Sequence, residues 1–461
     1  RHTGDFSMFR VYASKDNRPA AYSPQNVPYR PKKHFSISTK GVKEGDFTMI
    51  YGFPGNTQEY ILSDAAAYIA ERSDPAKIAV RTGRLDIITK AQESDPALRI
   101  HYAAKHASIA NAWKKWQGEA LGIDRRGTVA AKFDYETQFG LWSVGRPEYA
   151  GVVMGLRAEY DRIMDAYFAY EITRETLSTL PAAYTPEERS EECFARRKFA
   201  EQALWRHAFR EYGRCPKGYR TPSYAEGMAR YKSPEAYADA LFEAVWEGSD
   251  SVAMQPAVRL REETKRMLDH ISWMLGTKSL RNLNSKILNE LYTTYIKGLR
   301  EWDRERAFYP DANLTLRVAY GSVAGYEYAD GEYHKPQTTL DGIIAKDNPE
   351  IYDYDIPQSL RDLYASKNYG RWGTVIDGRR TVPVCFLATN HTTGGNSGSP
   401  VLNAGGELIG INFDRTWRST MSDIAYDPAI CRNIAVDIRY VLFVVDRVGG
   451  AGYLLKEMTL K

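Results

Sequence analysis

Residues 391–413 read HTTGGNSGSPVLNAGGELIGINF, and this glycine-rich stretch is the strongest structural signal in the chain. Glycines on both sides of Ser397 predict a tight turn that presents the serine, followed by a strand, a four-residue turn and a returning strand. Glycine lets the backbone come close to a scissile carbonyl, so the N–H groups of Gly395 and Ser397 could both point at a developing oxyanion. The pattern favours acyl-transfer chemistry with Ser397 as the nucleophile.

A structural loop without chemistry is the alternative. A Gly-x-Ser-x-Gly pattern alone favours that alternative, because a motif this short often matches by chance. Residues 394–400 form a longer run, GGNSGSP, and the hairpin pattern follows it at once. The full run with its hairpin favours the nucleophile over the plain loop.

Strand patterns bracket a long helical segment. Residues 1–62 and 307–461 are rich in strand-forming residues, whereas residues 63–306 carry helical periodicity. Strands are predicted at residues 6–12, 34–38, 47–51, 314–320, 382–387 and 407–413, and a terminal helix, interrupted at a glycine pair, at residues 437–458. A block of about 60 residues would hardly bury a core alone. The simplest architecture is therefore one β domain in two parts with a large helical insertion.

Four cap residues mark helix starts in the middle segment, and each is followed directly by a proline suited to the first helical position. These caps are Asp74, Asp95, Thr185 and Ser233. Thr185 with Glu188 also fits a capping box. An apolar stripe at helical spacing follows Asp95 and predicts a core-facing helix. The stripe comprises Leu98, Tyr102, Ile109, Trp113 and Trp116.

Composition and charge exclude several classes of protein. The 461 residues are 43% hydrophobic, 12% aromatic and 26% charged, unlike a fibrous, disordered or disulfide-scaffold chain. The net charge is +4 without a basic block, so no nucleic-acid partner is predicted. No apolar run reaches the roughly 18 residues of a membrane span. The four cysteines lack C-x-x-C spacing, which argues against zinc, and neither a metal nor another cofactor is predicted.

The run at residues 394–400 resembles the Gly-Asn-Ser-Gly-Ser-Pro signature of chymotrypsin-fold serine peptidases. The whole chain is more closely similar to a bacterial dipeptidyl-peptidase family, with further matches at residues 4–6, Asn111 and residues 413–415. The resemblance implies an α+β fold: a chymotrypsin-like double β-barrel, its amino-terminal part absent from this chain, with a large inserted all-helical domain. The implied domains are residues 1–62 (first part of the β-barrel peptidase domain), 63–306 (helical insertion) and 307–461 (second part, with the nucleophile and the terminal helix).

The resemblance also implies a catalytic triad in the chain order His, Asp, Ser. Ser397 matches the family's nucleophile and Asp5 its acid, which would orient and stabilise the imidazole. Without the family match, Asp5 would be interpreted as a turn residue beside glycine. His2 belongs to the matched segment and the other seven histidines follow Asp5. The base is therefore expected in an amino-terminal segment outside these 461 residues.

Substrate selectivity is assigned to Arg415, which follows Ser397 by 18 residues, just beyond the returning strand. In the family that the chain resembles, glycine at this position accompanies an apolar preference, and arginine a preference for Asp or Glu before the cut bond. A guanidinium can bind a carboxylate through two charge-assisted hydrogen bonds and would reject apolar side chains. The alternative is an exposed, structural arginine paired with Asp414 or Asp423.

Asn111 lies opposite the apolar stripe of its predicted helix, on a face of small residues. The resemblance implies that Asn111 holds the free amino group of the substrate, for which an amide oxygen is a suitable acceptor. Asp414 is a weaker candidate for the same group or for steadying Arg415. The alternative for Asn111 is an ordinary solvated helix residue.

The sequence thus predicts a serine dipeptidyl-peptidase that acts on oligopeptides and removes N-terminal dipeptides with Asp or Glu in the second position. The resemblance implies a periplasmic or cell-surface bacterial enzyme without membrane insertion, partnered by its own amino-terminal segment and open to homodimer formation. Two alternatives stay open. One is a catalytically silent peptide-binding protein, and the other is a dipeptidyl-peptidase with apolar preference in which Arg415 is structural.

Overall fold

The computed structural model describes residues 6–248, 252–276, 283–351 and 353–461. The chain divides into two compact units: Arg1–Glu59 with Asp311–Lys461, here called the β unit, and Tyr60–Pro310, here called the helical unit. The predicted boundaries lie a few residues away, after residues 62 and 306. That the two units are separate folding domains stays a prediction.

The strands of the described residues all belong to the β unit, which also holds three short helices. The strands are β1 (Tyr12–Ala13), β2 (Val27–Pro28), β3 (Phe47–Gly52), β4 (Arg317–Ser322), β5 (Tyr326–Ala329), β6 (Glu332–His334), β7 (Gln337–Thr339), β8 (Thr374–Ile376), β9 (Arg379–Thr381), β10 (Pro383–Ala388), β11 (Ser399–Leu402), β12 (Leu408–Arg415) and β13 (Asn433–Asp437). The helical unit contains α1 (Ser63–Ala67), α2 (Asp74–Ser94), α3 (Pro96–Arg125), α4 (Thr128–Ser143), α5 (Val152–Glu175), α6 (Pro186–Ser190), α7 (Lys198–Tyr212), α8 (Pro222–Tyr231), α9 (Pro234–Glu247), α10 (Gln255–Leu275) and α11 (Lys286–Trp302). The helices of the β unit are α12 (Leu340–Ile344), α13 (Gln358–Ser366) and α14 (Ile438–Phe443).

Seven strands of the β unit form one antiparallel sheet in the order β4-β3-β11-β12-β13-β10-β7. Val323, which follows the edge strand β4, bridges Ala388 at the end of β10. An edge strand therefore meets an inner strand of the same sheet, and the sheet is curled. Successive side chains of a strand point to opposite faces, so Ala435 of β13 enters one buried cluster with Phe386, while Val436 enters a second cluster with Phe443 of α14.

The structure confirms most of the predicted strands. The predictions at residues 47–51, 314–320, 382–387 and 407–413 correspond to β3, β4, β10 and β12. The prediction at residues 6–12 is wrong except for Tyr12, because that segment has no partner strand and no buried face, and Phe9 is 89% exposed. The prediction at residues 34–38 reduces to bridges at Ile37.

The predicted terminal helix is interrupted where expected. α14 continues as a π-helical stretch, Val444–Val448, and stops before Gly450, which has a φ of +61°. A left-handed backbone of this kind is accessible to glycine without strain. A short 3₁₀ helix, Gly452–Glu457, then completes the chain's helical end.

In the helical unit, three of the four predicted caps are confirmed. Asp95 accepts hydrogen bonds from two backbone N–H groups of α3, and Ser233 caps α9. Thr185 and Glu188 form both bonds of the capping box, at 2.8 and 3.2 Å. The cap at Asp74 is wrong, because a π-helical stretch, Tyr68–Ser73, joins α1 to α2 and leaves no helix start to cap.

The apolar stripe of α3 faces a core as predicted. Leu98, Tyr102 and Ile109 are buried, and Trp113 packs against the same cluster. Trp116 does not belong to this cluster. Its ring makes two cation–π contacts, at 4.4 Å from the Lys77 ammonium and 4.4 Å from the Arg81 guanidinium. Burial of large apolar and aromatic side chains of this kind is the main stabilising contribution in such a unit.

Asp74 is a buried acid in the helical unit. Its side chain is fully buried, and its carboxylate lies 3.0 Å from the Lys77 ammonium without hydrogen-bond geometry. Burial raises the pKa of Asp74 from 3.8 to about 7, with Glu119 adding to the shift and Lys77 opposing it. Since an acid whose pKa is raised in the folded state is easier to protonate there, the free energy of unfolding falls as the pH rises from about 4 to about 7.

An Asp74→Asn variant should therefore be more stable than the parent at pH 8, by about 2–4 kcal/mol, because the amide carries no buried charge. The difference should shrink as the pH falls toward 5, since the parent carboxyl is then neutral. Thermal unfolding followed by circular dichroism at pH 5, 6.5 and 8 measures this. Asp86→Asn, at an exposed position of α2, is the matched control. An Asp74→Asn effect that is independent of pH would contradict the assignment.

Candidate active site

Ser397 lies at an exposed position of the loop between β10 and β11. β11 and β12 pair antiparallel, with Ser399 opposite Asn412 and Val401 opposite Gly410. The predicted hairpin is thereby confirmed. The serine lies two residues before β11, the first strand of that hairpin, on a loop whose carboxyl-terminal end continues directly into the sheet.

Glycine is required at position 395. Gly395 has a φ of +106°, and a Cβ atom there would lie 2.3 Å from the Phe53 carbonyl oxygen and 3.0 Å from the Gly55 nitrogen. The Gly55 N–H donates to the Gly394 carbonyl at 2.6 Å. Because a side chain would collide with this backbone, only glycine lets the loop pack against residues 53–55.

Two buried asparagines fix the loop around Ser397. Asn396 is 3% exposed, and its Oδ1 accepts a hydrogen bond from the Thr393 N–H at 3.1 Å. Asn412 of β12 donates through Nδ2 to the Asn396 carbonyl at 3.2 Å, and its own carbonyl accepts from the Gly398 N–H at 2.8 Å. The residues on both sides of the serine are therefore held by hydrogen bonds to buried groups, which is the preorganisation that an acyl-transfer site needs.

The N–H groups of Gly395 and Ser397 make no hydrogen bond to any described part of the protein. Both residues are exposed, so these donors are available to an oxygen atom of a ligand. Two unengaged backbone donors in the same turn as a serine hydroxyl are the components of an oxyanion hole. Their assignment to that role stays a prediction.

The Ser397 hydroxyl donates to the Phe413 carbonyl oxygen at 3.2 Å. The register between β12 and β13 shifts between Asn412 and Asp414, so Phe413 sits at a bulge. A bulge takes a residue out of the ladder of strand hydrogen bonds and often lies beside an active site. Here the carbonyl at the bulge holds the serine hydroxyl in one orientation.

Among the described residues no histidine lies within hydrogen-bonding distance of Ser397 Oγ. His391, six residues earlier, faces elsewhere: its Nε2 donates to the Ser422 carbonyl at 3.0 Å and its Nδ1 lies 3.2 Å from Glu59 Oε1. Burial lowers the pKa of His391. His391 therefore supports the 3₁₀ helix that contains Ser422. The predicted acid, Asp5, lies outside the described residues.

Arg415 ends β12 and forms a bidentate ion pair with Asp423. The Nη1–Oδ1 distance is 2.6 Å and the Nη2–Oδ2 distance is 2.9 Å. Both side chains are only 12% exposed, and Nη1 also donates to Ser422 Oγ at 2.9 Å. The ion pair with Asp423, which the structural alternative predicted, is thus observed. That alternative also predicted an exposed arginine, whereas Arg415 is largely buried. Asp414 is exposed and accepts from the Arg415 backbone N–H at 2.8 Å.

Sequence reasoning named Asp423 only as an alternative partner and missed the contacts of Ser422 and His391. Asp423 ends a 3₁₀ helix, Trp417–Asp423, whose last five residues are buried, and its carbonyl accepts from the Gln58 N–H at 2.6 Å. These contacts join residues far apart in the sequence, so no local pattern indicates them.

Asn111 lies on the exposed face of α3, opposite the buried stripe, as the periodicity predicts. An exposed amide is accessible to a ligand and is not needed for packing. Its role in binding an amino group stays a prediction.

One trio in the described ranges brings three metal-type ligand atoms together: those of His101, Glu191 and Cys193 lie within 4.8 Å of one another. The Arg197 guanidinium already lies between two of them, donating to His101 Nε2 at 2.7 Å and to Glu191 Oε2 at 3.1 Å. A buried guanidinium repels a second cation, so the trio fits a metal ion poorly.

None of the four cysteines, all within the described part of the chain, forms a disulfide. In that same part of the chain, no helix has both the length and the apolar character needed to cross a membrane.

The profile of one peptidase family covers almost the whole chain. The Peptidase S46 profile matches residues 1–188 and 183–460. The chain belongs to the Peptidase S46 family. Membership in S46 confirms the resemblance inferred from residues 394–400 and from the matches elsewhere in the sequence.

The relatives of this chain include Asp/Glu-specific dipeptidyl-peptidases and proteins named dipeptidyl-peptidase 7. Over 506 residues the chain is 40% identical to an Asp/Glu-specific dipeptidyl-peptidase of Capnocytophaga gingivalis, covering 100% of this chain and 70% of the relative. Over 501 residues it is 32% identical to dipeptidyl-peptidase 7 of Phocaeicola vulgatus, covering 100% of this chain and 69% of that protein. The crystal structure of Porphyromonas endodontalis DPP11 in complex with the dipeptide Arg-Glu matches with a TM-score of 0.84 at 32% identity, over 100% of this chain and 71% of that one. The mixed α/β fold of this chain is therefore that of an S46 dipeptidyl-peptidase.

Proposed function

We propose that this S46 member is a serine dipeptidyl-peptidase that releases N-terminal dipeptides with Asp or Glu as the residue before the cut bond. Its fold is a chymotrypsin-like double β-barrel with an inserted helical domain. The family match and the 40% identity to an Asp/Glu-specific relative support this proposal. The observation that carries the acidic preference is the position of Arg415. Arg415 follows Phe413 by two residues, and the Phe413 carbonyl contacts the Ser397 hydroxyl. Two residues of strand span roughly 7 Å, so the backbone of Arg415 lies within about that distance of Phe413.

Ser397 is the nucleophile in this proposal. Its hydroxyl leaves the Phe413 carbonyl, gives its proton to a histidine base and attacks the scissile carbonyl, with Asp5 orienting the imidazole. The Gly395 and Ser397 N–H groups bind the oxyanion of the tetrahedral intermediate, which collapses as the scissile C–N bond breaks and the histidine gives its proton to the leaving amine. Water, deprotonated by the same histidine, then hydrolyses the acyl-enzyme, and Ser397 regains its proton. The base is none of the described histidines in their observed positions, since none of them reaches Ser397.

The substrate groups proposed to be bound are a side-chain carboxylate and a free amino group, and each is matched to a residue of suitable charge or polarity. Arg415 would bind the side-chain carboxylate of the substrate, and Asn111 and Asp414 would hold its free amino group. An enzyme that requires a free amino group two residues from the cut bond releases dipeptides and does not cleave inside a chain. The periplasmic or cell-surface location implied by the resemblance, the homodimer and the partnership with an amino-terminal segment remain part of the proposal.

Two fluorogenic dipeptides that differ only in Glu or Gln before the fluorophore test the proposed selectivity. The protein, produced from its full gene, should cleave the Glu substrate about 10- to 100-fold more efficiently, because only a carboxylate pairs with the guanidinium. An N-acetylated Glu substrate should not be cleaved. Equal rates for Glu and Gln, or faster cleavage of an apolar residue, would instead assign Arg415 a structural role.

A further inference from the structure

The Arg415–Asp423 ion pair is formed before any substrate arrives. The acid is fixed in place, because Asp423 lies at the buried end of a 3₁₀ helix and its carbonyl accepts a hydrogen bond from the Gln58 N–H at 2.6 Å. Ser422 Oγ accepts a second hydrogen bond from the same guanidinium nitrogen that contacts Asp423. Arg415 is thus held in a rigid, largely neutralised arrangement.

A second pair in the β unit has the same chemistry but no place at the candidate site. Arg439 binds Asp437 in the bidentate manner, at 2.9 and 2.7 Å, with side chains 10% and 2% exposed. Asp437 also caps α14, so this pair serves the fold. The Arg439–Asp437 pair therefore shows the contribution of a buried ion pair to stability alone, against which an effect of the Arg415–Asp423 pair on ligand binding can be measured.

A substrate carboxylate that reaches Arg415 must also approach Asp423. The two carboxylates would contact one guanidinium, where like charges repel strongly because the site is partly shielded from water. Nη1 and Nη2 of the guanidinium already donate to Asp423, so much of its charge is already compensated. Selectivity for acids is retained while their affinity is lowered.

We infer that Asp423 is a specificity-determining residue that weakens the hold of Arg415 on the acidic side chain of the substrate and of the released dipeptide. The inference rests on the proposed function. Its consequence is greatest for the product, which keeps the side-chain carboxylate and gains a carboxyl-terminal one. An uncompensated arginine would retain a dipeptide with two carboxylates, so Asp423 favours its release.

Asp423→Asn tests the inference, because the amide keeps the shape and one acceptor but removes the charge. We expect KM for the Glu substrate and the inhibition constant of the product dipeptide ending in Glu both to fall about tenfold or more. The corresponding values for the Gln substrate and the Gln dipeptide should stay within about twofold. A merely structural role would not separate Glu from Gln in this way.

One variant serves as the control. Asp437→Asn removes the acid of the second buried pair and should lower stability without changing the Glu-to-Gln ratio. If Asp423→Asn does not fold, Asp423→Ser supplies the same comparison. Unchanged or weaker binding of the Glu dipeptide in a folded variant overturns the inference. A parent enzyme that does not distinguish Glu from Gln overturns the proposed function instead, so the two failures are distinguishable.

Discussion

Replacing Ser397 with alanine should lower kcat/KM for release of an acidic dipeptide by about four to six orders of magnitude. The reason is specific to this oxygen atom: it is the exposed hydroxyl beside two N–H donors that bond to no described protein group. The substitution removes only the proposed nucleophile, because two buried asparagines and Gly395 hold the loop. Fluorogenic assays of parent and variant at matched concentration give the ratio.

Ser399→Ala is the matched control for this loss. Ser399 lies two residues away and is buried in β11, where its hydroxyl faces Gly52. That variant should keep activity within about threefold, since the hydroxyl is away from the proposed chemistry. A fluorophosphonate should label the parent at Ser397 and leave Ser397→Ala unlabelled. No adduct on the parent would support the catalytically silent peptide-binding protein.

Replacing Arg415 with glycine should have two separate effects. The preference for Glu over Gln should disappear, and apolar residues should become the better substrates, because no cation remains for the carboxylate. The free energy of unfolding should also fall by about 3–5 kcal/mol, since Asp423, 12% exposed, would keep a buried charge without its main partner. Substrate panels and denaturant unfolding measure the two effects.

A double variant separates selectivity from stability. The double variant Arg415→Met, Asp423→Leu removes both charges. Replacing a buried ion pair by apolar side chains of similar volume usually leaves the free energy of unfolding unchanged or raises it. We expect stability to return toward the parent value while acid selectivity stays lost. If the double variant regained the preference for Glu, Arg415 would not be the acid-binding group. If the single variant were as stable as the parent, the ion pair would contribute little to folding.

Local patterns predicted the parts of this molecule that local forces determine. The hairpin after Ser397 follows from glycines, alternation and a short turn, and the capping box at Thr185 follows from four consecutive residues. The cap at Asp74 was wrong because a proline after an aspartate indicates a helix start only where the preceding backbone is not already helical. Residues 74–75 carry no information about the π-helical stretch before them.

Long-range contacts could not be predicted from the same patterns. The approach of Gly395 to Phe53 joins residues more than 300 positions apart, and nothing near either residue specifies the other. The partner of Arg415 was left open between Asp414 and Asp423. In the structure Asp414 accepts from the backbone N–H of its neighbour, and the guanidinium binds Asp423 at the buried end of the 3₁₀ helix.

The β11–β12 hairpin has a consequence for how such enzymes can diverge. It holds the proposed bond-cutting serine just before one strand and the proposed selecting arginine at the end of the other, and the ladder between them sets their separation. A substitution at position 415 can therefore alter which peptides are accepted without moving the nucleophile. If these roles hold, the bond-cutting chemistry and the choice of substrate can change independently within one hairpin.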